Sequence, residues 1–165
     1  MLMSDKLPSD TSEFRSEIEA VSTEIRRICE DLSPSVLENV GLLAALEFLL
    51  SQTIENYTFS ADEPEENLNF SATVQMQIYR IAQEVLTNIK RHGDAKTVGM
   101  KIGISETEGF VLTIEDDGTG FDLSSSTPKG RGIANIKARS ALIKAEIGWI
   151  PGKEGGTIFE LKKPL

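Results

Sequence analysis

The sequence predicts an α+β fold. A two-layer sandwich is expected, with a mixed, mostly antiparallel five-stranded sheet carrying helices on one face and a long N-terminal helix preceding it. Three observations predict it. Apolar residues recur at helical spacing through residues 73–92. Apolar and polar residues alternate through residues 98–104 and again through 110–114, the period of half-buried strands. Residues 12–32 repeat apolar positions at steps of four and three, the narrow seam of a bundle helix.

Each element follows in order. Residues 1–11 are polar, contain Pro8 and read as a flexible end. In residues 12–32 the apolar positions are Phe14, Ile18, Val21, Ile25, Ile28 and Leu32. That seam asks for a partner helix; a single helix packed on the same domain is the plainer alternative. Ser33-Pro34 breaks the helix. A second helix is expected from about residue 36 or 39 to residue 56, with Leu42, Leu46, Leu49 and Leu50 on one face. Residues 57–66 are acidic and contain Pro64, so they read as a loop or hairpin turn. Leu68 and Phe70 suggest a short strand. In helix 73–92 one face gathers Val74, Ile78, Ile81, Ala82, Val85 and Ile89.

The second half reads mainly as strands. Val98, Met100, Ile102 and Ile104 alternate, as do Phe110, Leu112 and Ile114. A loop of Gly, Ser, Thr and Pro covers residues 118–130, followed by a helix over 133–143. Two last strands are expected near 146–150 and 157–162, turned by Gly155-Gly156.

Bulk properties bound the function. A chain of 165 residues, 39% hydrophobic and 26% charged, suits one soluble domain with a short appendage. No apolar run reaches the length of a membrane span, and residues 1–10 lack a signal-peptide core. The one cysteine, Cys29, excludes an internal disulfide and fits a reducing compartment. A net charge of −9 argues against a nucleic-acid binder. An anionic ligand would need local cations, helix N-termini or a metal.

Four segments offer chemistry. Glu84 and Asn88, four apart, share the shoulder of helix 73–92 with Gln77 and Arg91 close by, and His92 lies between them and the apolar face. A carboxylate and an amide so stacked can hold one hydrated cation or orient an attacking group. The pattern taken singly is common on solvated helix edges. Asp116-Asp117-Gly118-Thr119-Gly120-Phe121 follows an apolar strand. A carboxylate there can accept from an exocyclic amine such as adenine's, and glycines allow close approach; a plain β-turn is the alternative. Gly130-Arg131-Gly132, with Lys129, opens a helix whose free N–H groups suit phosphates. Gly155-Gly156-Thr157 by itself is a turn.

Together and in this order, these residues resemble the two-component histidine kinases and the wider superfamily that includes DNA gyrase and the MutL repair proteins. The resemblance covers residues 12–163. EVLTNIKRHG is similar to the N box, IEDDGTGFD to the first glycine box, GRGIANIKARSALI to the second, and GGTIFELKKP to the closing strand. ICEDLSPSVLENVGLLAALEFL resembles the segment joining the dimerisation helices to the ATPase domain. It points to the subfamily whose partners are response regulators with LuxR-type DNA-binding domains.

The resemblance implies an ATP-binding catalytic domain that uses ATP and Mg²⁺. Asn88 would coordinate the metal and Glu84 would polarise the attacking group. Asp116 would bind the adenine amine, helped through water by Thr157. Gly118 and Gly120 would leave room for the nucleotide, residues 122–129 would form a short lid, and Gly130 and Gly132 would bring lid and helix onto the phosphates. Lys129, Arg131 and Arg91 would sit near phosphate, and His92 would take the place of an aromatic packed near adenine. The expected organisation is a flexible 1–11, a remnant second dimerisation helix and linker at 12–35, and the ATP-binding domain at 36–165. The partners implied are the dimerisation and phosphoacceptor helix of a homodimeric parent kinase and a response regulator, with no nucleic acid and no membrane contact by this segment. The domain is expected in the cytoplasm, whether the parent is membrane-bound or soluble.

The chain departs from the family pattern in places. The family's phosphoacceptor histidine lies on a helix before residue 12, whereas the one histidine here is His92. The chain is thus expected to be a fragment, or a protein that lost the acceptor. IKAEI stands where the family often has a glycine pair, and Gly93 stands where alanine is common. An anti-sigma-type protein-serine kinase or a regulatory nucleotide-binding module of the same superfamily would share these motifs; helix 12–32 and the EDLSP linker favour the histidine kinase.

Overall fold

The computed structural model describes Ile18, Val21 and residues 35–62, 68–105, 107–120, 131–152 and 155–165. The chain divides into two compact units, Met1–Ser35 and Val36–Leu165. In the first unit, Ile18 and Val21 are helical and exposed. The rest of the seam expected over 12–32 lies outside the described residues, as do residues 1–11.

The described elements are α1 (Ser35–Val40), α2 (Leu42–Thr53), β1 (Tyr57–Ala61), α3 (Ala72–Asn88), a π-helical turn (Ile89–Gly93), β2 (Val98–Ser105), β3 (Gly109–Asp116), α4 (Arg131–Leu142), β4 (Glu146–Pro151) and β5 (Thr157–Lys163), all but Ser35 in the second unit. The sheet order is β1-β2-β3-β5-β4. β1 runs parallel to β2 and the other pairs are antiparallel, which is the mixed five-stranded sheet the sequence predicts.

Register explains where the core sits. Met100 pairs with Ile114, which pairs with Phe159; Ile102 pairs with Leu112, which pairs with Leu161. Their side chains share one face because strand residues alternate, and all are buried. Burying each such side chain contributes roughly 1.5–3 kcal/mol. From the helices, Leu42, Leu46 and Leu50 of α2 and Ile78, Ile81, Ala82, Val85 and Leu86 of α3 join the same cluster. α3 packs against both α2 and α4, and the Arg139 Nη1 on α4 donates to Gln77 Oε1 on α3 at 2.8 Å. Gln77 therefore serves as a helix-to-helix tie.

Four elements differ from expectation. The fifth strand is Tyr57–Ala61, within the segment read as a loop, and Leu68–Phe70 is not a strand. Instead Leu68 is buried, and the Phe70 ring meets Phe110 edge-to-face at 5.3 Å between centroids. β1 is an edge strand, exposed at four of its five residues. It owes its conformation to pairing with β2 rather than to an apolar pattern of its own. The second helix is interrupted at Gly41, whose φ is 88°. Helix 73–92 keeps α geometry to Asn88, then widens into the π turn, and Asp94 ends it in the left-handed region. Ser71 starts α3 by accepting the Val74 amide at 3.4 Å, the N-cap role of serine.

Candidate functional site

A cavity of about 530 Å³ opens among α3, the π turn, the ends of β3 and β5, β4 and the start of α4. The α3 shoulder supplies Glu84 and Asn88, one turn apart and half-buried, with Arg91 and His92 following on the exposed π turn. The i, i+4 spacing puts both polar groups on one side while Val85 and Ile89 stay in the core. π turns of this kind are frequent at functional sites, since one inserted residue redirects the side chains that follow.

The strand end is built by tight backbone contacts. Asp116 closes β3, is buried, and its Oδ1 accepts the Gly118 amide at 2.9 Å. Burial pushes its carboxyl above the ordinary value, against the pull of the Gly118 and Thr157 backbone amides; the neighbouring Asp117 charge pushes the same way as burial. Thr157 lies opposite Asp116 in the β3–β5 register and is itself buried. The adjacent Asp117 turns the other way. Its Oδ1 accepts the Lys96 and Thr97 amides at 2.7 and 2.9 Å, and its Oδ2 accepts the Thr97 hydroxyl at 2.8 Å. Bonds from the Thr97 amide and hydroxyl, joined by the Lys96 amide, hold Asp117 below the usual carboxylate range. The two acids are therefore unlike: Asp116 faces the cavity and Asp117 ties the loop before β2 to the end of β3.

Glycines let these segments touch. Gly156 has a φ of 73°, and a Cβ there would collide with the Asp116 carbonyl. Gly118 packs beneath the Gly93 carbonyl, which also accepts the Thr119 amide at 2.7 Å. Across the cavity, α4 begins so close to Glu84 that a Cβ on Gly132 would strike Glu84 Oε1.

Of the residues singled out in the sequence, Glu84, Asn88, Arg91, His92, Asp116, Gly120, Arg131, Gly132 and Thr157 all line this one cavity. Gly118 does not; it supports the wall from behind. Lys129, Gly130 and the lid expected over 122–129 lie outside the described residues. Sequence reasoning missed Trp149, Phe159 and Ile136, which make the apolar lining with Ile89 and Ile114. It also missed the tie made by Asp117. The signal for Trp149 lies in the alternation of EIGWIP, which puts Ile147 and Trp149 on one face, but only the register with β5 shows where that face leads.

Chemically, the cavity joins a buried acceptor above an apolar floor to a carboxylate–amide pair facing a helix N-terminus. The first suits a flat base that presents an amine. The second suits phosphate oxygens, drawn to the free N–H groups of α4 and to Arg131. Among the described residues no group of three or more His, Cys, Asp or Glu gathers to hold a metal. Mg²⁺ keeps several waters and takes few protein oxygens beside substrate phosphates; Asn88, which lines the cavity, offers one amide oxygen. No helix among the described residues is long and apolar enough to cross a membrane.

Comparison with known proteins shows the family and the fold. The family model described as histidine kinase-, DNA gyrase B-, and HSP90-like ATPase matches residues 73–165. The sensor histidine kinase MctS of Rhizobium johnstonii is 32% identical over 146 residues, covering 86% of this chain and 31% of that protein. The sensor histidine kinase LiaS of Bacillus subtilis is 30% identical over 144 residues, covering 86% of this chain and 39% of that protein. The chain thus spans between 31% and 39% of the length of these two relatives. Among solved structures, the histidine kinase domain of a blue-light activated histidine kinase from Erythrobacter litoralis superimposes with a TM-score of 0.59. It is 22% identical and the match covers 73% of this chain and 57% of that one, a likeness of fold.

Proposed function

The chain belongs to the histidine kinase-, DNA gyrase B- and HSP90-like ATPase family, and from that premise we propose that it is the ATP-binding catalytic domain of a sensor histidine kinase. It would direct the γ-phosphoryl group of Mg-ATP to a histidine outside this chain. The observation that carries the reading is the shared cavity: buried Asp116 stands at one end, and Glu84 and Asn88 face the N-terminus of α4 at the other.

The roles follow from chemistry. Asp116 accepts the exocyclic amine of adenine, and its bond to the Gly118 amide fixes the carboxylate for that purpose. Thr157 lines the same end. Asn88 would hold Mg²⁺ through its amide oxygen, and the ion would supply positive charge against the phosphates. Arg91 and Arg131, with Lys129 and Gly130 beyond the described residues, complete the phosphate end. Gly132 lets the first turn of α4 come down to Glu84. Glu84 polarises the incoming imidazole, whose nitrogen forms a bond to phosphorus as the bond to the ADP oxygen breaks. Residues 28–49, which resemble the linker of the LuxR-type subfamily, support a response regulator of that class as the eventual recipient, acting with a dimeric parent kinase in the cytoplasm.

His92 is not the acceptor in this reading. It lies four residues after Asn88 on the wall of the cavity, where its ring is poorly placed for in-line attack on a phosphoryl group held from the same helix. Two measurements test the proposal. Calorimetry should show ADP affinity falling about tenfold or more in Asp116→Asn, since one charge-assisted hydrogen bond in a buried pocket contributes roughly 1.5–3 kcal/mol. Unchanged affinity removes Asp116 from the adenine site. Incubated with labelled ATP and Mg²⁺, the chain should carry no acid-labile phosphate, whereas a separately supplied dimerisation helix bearing histidine should become labelled. Label on this chain that vanishes in His92→Gln would reverse the assignment.

A further inference from the structure

Trp149 is the chain's single tryptophan, and none of the roles above uses it. It lies on β4, an edge strand whose alternation turns Ile147 and Trp149 toward the helices and leaves Ile150 outward at 45% exposure. Trp149 pairs with Phe159, and Phe159 pairs with Ile114. All three line the cavity. They form one continuous apolar row across β4, β5 and β3.

The next row toward the strand ends is Pro151, Thr157 and Asp116. Two residues of strand separate the rows by about 7 Å. A planar base anchored by its amine at Asp116 therefore extends over the row that ends in Trp149. The indole is held from below: its centroid lies 5.4 Å from that of Phe159, with the planes tilted by 59°. Ile133 and Ile136 of α4 line the same cavity. The side chain is half-buried, so a large aromatic surface is shared between the core and the slot.

We infer that Trp149 is a positioning and specificity-determining residue for the base: held by Phe159, its indole closes the wall of the slot that begins at Asp116 and limits the slot to a flat purine. This rests on the reading of the cavity as an adenine-nucleotide site. A wall at that distance distinguishes the base from the phosphates, because the phosphate end lies with Glu84, Asn88 and α4. Aromatic contact with a base contributes on the order of a tenfold affinity change when the aromatic is truncated.

The experiment uses the full chain and reads tryptophan emission, which here reports a single site, alongside calorimetry. ADP should shift or quench the emission saturably, with a midpoint equal to the calorimetric one. Magnesium tripolyphosphate, which carries phosphates and no base, should leave the emission unchanged. Trp149→Phe, which keeps the contact with Phe159, should hold ADP affinity within about threefold, and Trp149→Ala should lower it about tenfold. If Trp149→Ala does not fold, the emission titration and Trp149→Phe carry the test. ADP binding by calorimetry with unmoved emission, or wild-type affinity in Trp149→Ala, overturns the inference and leaves the nucleotide site standing. Absence of any ADP binding overturns both.

Discussion

The two ends of the cavity are built differently. At the strand end, partners come from far apart in the chain: Asp117 binds the Lys96 and Thr97 amides, Thr119 binds Gly93, and Gly156 lies against the Asp116 carbonyl. At the helical end, Glu84 and Asn88 stand on one helix and face the first turn of another. The strand end is therefore inseparable from the fold, because the bonds that shape it also close the sheet. The helical end is a surface of two helices whose cores are packed elsewhere. Substitutions at the first should move stability along with binding, and those at the second should move binding and chemistry with little effect on stability.

The largest effect expected is at Gly156. Its φ of 73° is costly for any side chain, and the added Cβ has no room against backbone. Gly156→Ala should lower stability by at least ~2 kcal/mol, read as a lower denaturation midpoint with weaker ADP binding. A variant as stable as wild type would show that the β4–β5 turn yields, and the contrast between the ends would weaken.

At the other end, Asn88→Ala should cost about tenfold, or ~1.4 kcal/mol, in Mg²⁺-dependent ATP binding. It should leave metal-free ADP binding largely intact and change stability by no more than about 0.5 kcal/mol. Equal losses for both nucleotides would remove the metal role. A large loss of stability would mean that the helical end, too, is part of the fold.

The adjacent acids sharpen the comparison within the strand end. Burial raises the Asp116 carboxyl in the folded state, so its contribution to stability is fully present below the unfolded carboxylate value and is lost as pH rises through the folded one. Hydrogen bonds lower Asp117, so its contribution is present above the unfolded value and lost as pH falls through the folded one. Denaturation midpoints followed against pH should show Asp116→Asn removing the loss on the rising side and Asp117→Asn the loss on acidification. Identical profiles would mean the two carboxylates share one environment.

How much of this was legible in the sequence follows the same division. Glu84 and Asn88 could be placed together because helical spacing is local, and Asp116 because an apolar strand points to its end. The core faces of α3, β2 and β3 were equally legible, since burial writes a period into the chain. β1 was not: YTFSA is an exposed edge strand next to an acidic, proline-containing stretch, and its pairing with β2 is a long-range event. The π turn leaves no local signature in IKRHG. The place of Trp149 depends on a β4–β5 register that alternation within β4 cannot supply, and the division of labour between Asp116 and Asp117 depends on Thr97, twenty residues earlier in the chain than Asp117.

The smallest effect expected lies where the two ends meet, at Gly93 in the π turn. Its carbonyl receives the Thr119 amide from the strand end, while its backbone continues the helix that carries Asn88. Here, unlike at Gly156, a Cβ has room: its nearest neighbours would be Ile89 Cγ2 at 3.4 Å and Ala95 Cβ and Asp116 Oδ1 at 3.9 Å. The φ is not in the left-handed region, which at this turn is taken by Asp94. Glycine is therefore not required by the conformation, and its freedom in the unfolded chain is a cost. Gly93→Ala should raise stability by about 0.4–1 kcal/mol and keep ADP affinity within about twofold, or ~0.4 kcal/mol. Higher stability with clearly weaker ADP binding would show the methyl pressing on the Asp116 carboxylate, and would make the turn a link through which the fold tunes the site. Lower stability would show that the π turn needs glycine for a reason the space around it does not reveal.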